Sequence, residues 1–138
     1  MQTIVPMLSY EDCPVALEWL CRVFGFTEER DMRFFDETSG RVTHAELSLG
    51  DAKIFLATPT PDYQGPRRHA QNCPAAAAWL KCPWVVDGVL VYVDDIDAHF
   101  AAAQHGGADL LSGIEEGFPG RRYRAADIEG HRWMFMEK

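Results

Sequence analysis

An α+β fold built from two βαβββ modules is predicted by two features of this 138-residue sequence. A strand-length apolar segment leading into a helix occurs twice, and three strand-length segments follow each helix. Residues 3–10 form the first apolar run, and it stops at Glu11-Asp12-Cys13-Pro14, where Asp12 is placed to cap a helix and Pro14 to sit in its first turn. Val15, Ala16, Trp19, Leu20 and Phe24 continue at spacings of three or four, and Gly25 is placed to end the helix. Residues 27–34, 42–49 and 52–57 then read as strands, with turn residues at Ser39-Gly40 and Gly50-Asp51.

The second half repeats this order. Residues 89–93 read as a strand, Asp95 as a cap, 96–105 as a helix stopped by Gly106-Gly107, and residues near 109–112, 121–126 and 131–137 as strands. Gly50-Asp51-Ala52-Lys53-Ile54-Phe55 aligns with Glu129-Gly130-His131-Arg132-Trp133-Met134 near the end of each half. The chain is thus one domain of residues 1–138, with modules 1–58 and 88–138 and an insert at 59–87. Two such modules can pair their sheets so that the helices lie outside and the inner faces curl around a ligand cavity. A structureless run of this length would be unusual, so a helix is expected within residues 74–80 of the insert, with a turn before it. The insert reads either as a plain connector or as a lid.

Composition excludes several classes of function. Apolar residues make up 47% and charged residues 25%, a globular profile. The net charge is -8 and the 13 Lys and Arg form no basic run, so nucleic acid is not an expected partner. Residues 1–6 lack the charged start and apolar stretch of a signal peptide, and no segment is long and apolar enough to span a bilayer. A cytoplasmic chain with no membrane partner is expected. Cys13, Cys21, Cys73 and Cys82 include no Cys-x-x-Cys pair and are expected as free thiols.

Strand periodicity selects the residues that could carry chemistry. Thr43, Ala45, Leu47 and Leu49 form an apolar face, which turns His44, Glu46 and Ser48 to the other side. Three readings stay open for His44 and Glu46: a solvated rim, contact with a ligand as an acid and base pair, or the start of a non-standard metal site. Arg121, Arg122 and Arg124 are the densest positive charge. Arg122 and Arg124 either clamp a carboxylate or phosphate, or lie on a solvated strand paired with acidic neighbours such as Glu115, Glu116 and Asp127, the reading favoured here. Phe55, Tyr92 and Trp84 are candidate apolar walls, whereas Trp19, Trp133 and Phe135 are assigned to the core. His69 and Cys73 have helical i, i+4 spacing and are read as a surface pair.

Three sets of residues carry a family resemblance. They are Pro6-Met7-Leu8-Ser9-Tyr10-Glu11-Asp12 with Trp19-Leu20 and Phe24-Gly25-Phe26, then Val91-Tyr92-Val93-Asp94-Asp95-Ile96-Asp97-Ala98 with Gly107-Ala108, then Asp127-Ile128-Glu129-Gly130-His131-Arg132-Trp133. The sequence resembles the vicinal oxygen chelate superfamily of glyoxalases, bleomycin-resistance proteins and extradiol dioxygenases, in its uncharacterised glyoxalase-like branch. The resemblance implies a divalent metal held from the first and last strands of each module, and those places fall here on Val5, Phe55, Gly88 and Met134. None offers a donor for a borderline or hard divalent ion, so no metal and no cofactor is expected. His131 resembles a position that fixes a turn and is not counted as catalytic.

The resulting expectation is a metal-independent protein that binds a small organic molecule, in the manner of the bleomycin-resistance members. The ligand-binding candidates are Met7, His44, Glu46, Ser48, Phe55, Trp84, Tyr92, Arg122, Arg124 and Met134. The alternative is an enzyme, a lyase, isomerase or dioxygenase-like catalyst that uses His44 and Glu46 with or without a relocated metal. The resemblance also implies a homodimer.

Overall fold

The computed structural model describes residues 2–82 and 87–138, in two compact units, Met1–Gly65 and Pro66–Lys138. The first unit runs β1 (Met7–Ser9), α1 (Cys13–Phe24), β2 (Thr27–Glu28), a 3-10 turn (Arg30–Met32), β3 (Phe34–Phe35), β4 (Val42–Leu49) and β5 (Ala52–Ala57). Its strands are ordered β1-β5-β4-β2, with β3 also paired to β4. The second unit begins with the helices α2 (Pro66–Asn72) and α3 (Pro74–Trp79) and continues β6 (Gly88–Val93), α4 (Ile96–His105), β7 (Asp109–Leu110), β8 (Arg122–Ala126) and β9 (Arg132–Glu137). Its strand order, β6-β9-β8-β7, is the same permutation as in the first unit. In both, the first and last strands run parallel and the rest antiparallel.

The helices start and stop where local chemistry requires. The Asp12 carboxylate accepts from the Val15 N–H at 3.2 Å, and Gly25 closes α1 in the left-handed region (φ 84°), which a side chain would disfavour. Asp95 caps α4 in the same way through the Ala98 N–H at 3.0 Å. Leu17, Leu20 and Phe24 of α1 are buried, as are Ala45, Leu47, Ile54 and Leu56 of the sheet. Each large apolar side chain so buried contributes about 1.5–3 kcal/mol. In the second unit Tyr123 and Phe135 stack at 5.2 Å between ring centroids, and His99 of α4 lies 4.2 Å from Phe135. Trp19, Trp133 and Phe135 are core residues, as expected.

Several expected elements differ. Residues 27–34 are not one strand, because Glu28 to Arg33 is a charged run without the alternate apolar residues that a half-buried strand needs. The chain turns there, and Arg33 spans the turn by donating from Nε and Nη2 to both oxygens of Glu28, each at 2.7 Å. The first strand is only Met7–Ser9: ahead of it, the Gln2 amide bonds the Lys53 backbone, donating to its carbonyl at 3.0 Å, and Pro6 has no N–H to give. Thr43 is exposed, so the apolar stripe of β4 narrows to Ala45 and Leu47, with Leu49 half-buried. The insert holds the expected helix as α3, but a second helix, α2, replaces the turn before it. That break leaves His69 in α2 and Cys73 between the two helices, so their i, i+4 spacing is not a helical pair.

Candidate functional site

The registers of β5 against β1 and β4 set Met7, Phe55 and Glu46 in one row across three strands of the first sheet. Strand alternation adds His44 and Lys53 to the same face. His44 Nε2 lies 3.0 Å from Glu46 Oε1, and Lys53 Nζ donates to Glu46 Oε2 at 2.8 Å. The Glu46 side chain is 7% exposed and those of His44 and Lys53 are 33% and 42%, so a nearly buried carboxylate is held between two more accessible partners. The His44 ring stands edge-on to Phe55 at 4.8 Å and tilted to Phe34 at 6.1 Å. Ser48 lies opposite Lys53 in the ladder, its hydroxyl 3.4 Å from the Thr27 carbonyl, and Met7 is 79% exposed.

Lys53 is the residue that sequence reasoning missed. It hydrogen-bonds Glu46 and, with His44 second, holds the Glu46 carboxyl below its ordinary value; the same bond raises the Lys53 amine. A carboxyl lowered in the folded state contributes stability above its unfolded value, near pH 4, and loses it as pH falls through the lowered folded value. Glu46→Gln is therefore expected to flatten the acid side of the stability profile below about pH 4, measured as denaturant midpoint against pH. An unchanged acid limb would remove Glu46 as a linked group.

In the second unit the corresponding row is Leu90, Met134 and Arg124, and beside it lie Tyr92, Met136 and Arg122. Leu90 and Tyr92 are 47% and 55% exposed. Arg122 and Arg124 both donate to Glu115, the one acidic neighbour of the three that they reach, but their side chains are mostly buried and do not lie on a solvated strand. Arg121 pairs separately with Asp97, Glu116 and Glu137. Trp84 lies outside the described residues.

The Asp127-to-Trp133 motif is a structural device. Asp127 is 1% exposed; its Oδ1 accepts from the Glu129 and His131 N–H groups at 3.1 and 3.0 Å, and its Oδ2 from the Trp133 indole at 3.0 Å. The family model for the Glyoxalase/Bleomycin resistance protein/Dioxygenase superfamily matches residues 4–135, motif included. The chain belongs to this superfamily. No curated protein matches the sequence. Among solved structures, TioX from Micromonospora sp. ML1 is 27% identical with a TM-score of 0.67, covering 99% of this chain and 96% of its own. The bleomycin-binding protein from Streptomyces verticillus, complexed with copper(II)-bleomycin, is 17% identical (TM-score 0.62; 100% and 97% covered). TnmS3, an antibiotic binding protein from Streptomyces sp. CB03234, is 17% identical (TM-score 0.60; 99% and 98% covered).

For a glyoxalase-superfamily chain the donor set is the decisive chemical test. Val5 lies outside the strands and Phe55 is half-buried against His44. Gly88 pairs with Arg132, where a Cβ would meet the Arg132 carbonyl at 3.1 Å, and Met134 offers only a soft thioether. These residues do not fit a divalent metal. Among the described residues one other group has metal-like spacing, Asp95, Asp97 and Glu137. Asp95 caps α4 and the other two neutralise Arg121, which accounts for the cluster. No helix among the described residues is long and apolar enough to cross a membrane.

Proposed function

We propose that this superfamily member is a metal-independent small-molecule-binding protein of the bleomycin-resistance type. The observation that carries the reading is the first-sheet face, where His44, Glu46 and Lys53 form a closed polar cluster against Phe55. The expected metal positions carry no suitable donor. Met7, Phe55 and Ser48 supply the wall beside that cluster, and Tyr92, Met134, Arg122 and Arg124 supply a second surface. On either surface by itself, a ligand with a flat apolar part would lie on the aromatic and methionine side chains and be oriented by the polar ones. The bleomycin-binding protein, solved with copper(II)-bleomycin, and TnmS3, described as an antibiotic binding protein, support a small organic ligand.

The test loads purified protein with zinc, nickel, manganese or iron(II), desalts it and measures metal by mass spectrometry, alongside a ligand screen with and without chelator. Less than stoichiometric retention of every metal and chelator-insensitive binding are expected. Stoichiometric metal would overturn the reading.

The 3.0 Å contact of His44 with Glu46 favours one alternative, a lyase or isomerase in which Glu46 orients the imidazole as a general base. His44→Ala separates the two. A binder loses about tenfold in affinity, the value of one hydrogen bond involving a charged group. An enzyme loses turnover. The four free cysteines support a cytoplasmic location. The exposed Ile4, Met7, Phe34 and Phe35 support a homodimer, which sedimentation would detect.

A further inference from the structure

Arg122 and Arg124 stand two residues apart on β8, opposite Met136 and Met134, so both project from the same face of the second sheet. Their side chains are only 15% and 17% exposed, and both reach the carboxylate of Glu115, Arg122 at 3.4 Å and Arg124 more closely. Arg122 also donates to the neutral Gly120 carbonyl at 2.9 Å. Two guanidinium charges therefore share one carboxylate at a place mostly removed from water. This differs from Arg121, which has three acidic partners.

We propose that Arg122 and Arg124 form a recognition subsite for an organic oxyanion, a carboxylate or phosphate on an apolar body. Glu115 fills the subsite as a displaceable internal stand-in. This deepens the small-molecule reading above and rests on it.

Three observations give the subsite its character. The first is that Glu115 can leave without unfolding its segment. Its backbone is pinned to Arg122 by two hydrogen bonds, Glu115 N–H to the Arg122 carbonyl at 2.7 Å and the reverse at 3.0 Å. Rotation of the side chain alone then releases the carboxylate. The second is accessibility: the Glu115 side chain is 37% exposed, more than twice either arginine, so it lies on the solvent side of the pair. An incoming oxyanion meets it first and replaces one set of charge-assisted bonds by another, with planar guanidinium donors suited to either head group.

The third observation concerns the body of the ligand. The rows that end at Arg124 and Arg122 begin at Leu90 and Tyr92, with Met134 and Met136 between. From β8 to β6 is two strand spacings, about 10 Å. Leu90 and Tyr92, about half exposed, offer an apolar shelf at the far end, which suits an anionic head on a chain or ring and gives a bare ion no added contact.

Titration calorimetry on the full chain tests the subsite with octanoate, octyl phosphate and octanol, each held monomeric, against wild type, Glu115→Gln and Glu115→Gln combined with Arg124→Met. Removing the internal competitor is expected to tighten both anions at least about tenfold and leave octanol unchanged. Adding Arg124→Met to Glu115→Gln should abolish that gain, and the tighter of the two anions assigns the head group. Should Glu115→Gln lose its fold by circular dichroism, Glu115→Asp, one methylene shorter, is expected to give the same direction with a smaller gain. Equal changes for octanol and the anions, or no change for any probe, would overturn the subsite. That outcome leaves the His44 reading to its own test, because Glu115 makes no part of the first-sheet face.

Discussion

Replacing Asp127 by alanine is expected to remove about 3–5 kcal/mol of stability, the loss of a buried charged acceptor together with its partners' bonds. The carboxylate is 1% exposed and takes two backbone N–H groups and one indole N–H. Alanine would leave those three donors facing a void, and each unsatisfied buried donor costs about 1–3 kcal/mol. Asp127→Asn keeps one acceptor oxygen but turns an amide N–H toward a donor, so about half of the loss is expected. The measurement is the denaturant midpoint at constant slope, with exposed Glu116→Ala as a control expected to move it by less than about 0.5 kcal/mol. A midpoint for Asp127→Ala within the control's range would mean that the turn is held by its backbone alone. Because this turn joins β8 to β9, its loss should also loosen the strands that carry Arg122, Arg124 and Met134.

Much of the architecture was legible because its signals are local. Asp12 with Gly25 and Asp95 with Gly106 bracket helices whose ends depend on a few adjacent residues, and both helices form where expected. The break after Glu28 was legible in principle, since a run of charges without alternation has no apolar face to bury. The short span of β1 was not, because it depends on Gln2 reaching Lys53, 51 residues away. Lys53 itself could have been found. The Gly50-Asp51 turn leaves Leu49 opposite Ala52, and counting back places Ser48 opposite Lys53 and Glu46 opposite Phe55, which brings the amine beside the carboxylate. Glu115 was visible as an acidic neighbour, but its grip on two arginines comes from an isolated bridge to Arg122 that no periodicity signals.

Gly130→Ala is expected to cost about 2–4 kcal/mol and to free the start of the insert, for two reasons that act at one atom. Gly130 has φ 93°, where an L side chain is strained, and a Cβ there would meet the Arg67 backbone nitrogen at 2.9 Å. Arg67 is held at that spot by its N–H to the Glu129 carbonyl at 3.0 Å and by its guanidinium to the Asp127 and Ile128 carbonyls. The added methyl cannot be accommodated by a flexible tip, because its neighbour is main chain, so either the turn or the first residue pair of α2 must move. Trypsin reads the difference, since Arg67 and Arg68 become cleavable once α2 lifts from the turn. Arg67→Ala removes the guanidinium bonds without the clash and should cost less than about 1 kcal/mol, as the side chain is exposed. Faster cutting at Arg68 in Gly130→Ala than in wild type would identify the turn as the anchor of the insert. Unchanged cutting would place that anchor at Arg132, which donates to the Leu80 and Cys82 carbonyls at the insert's other end.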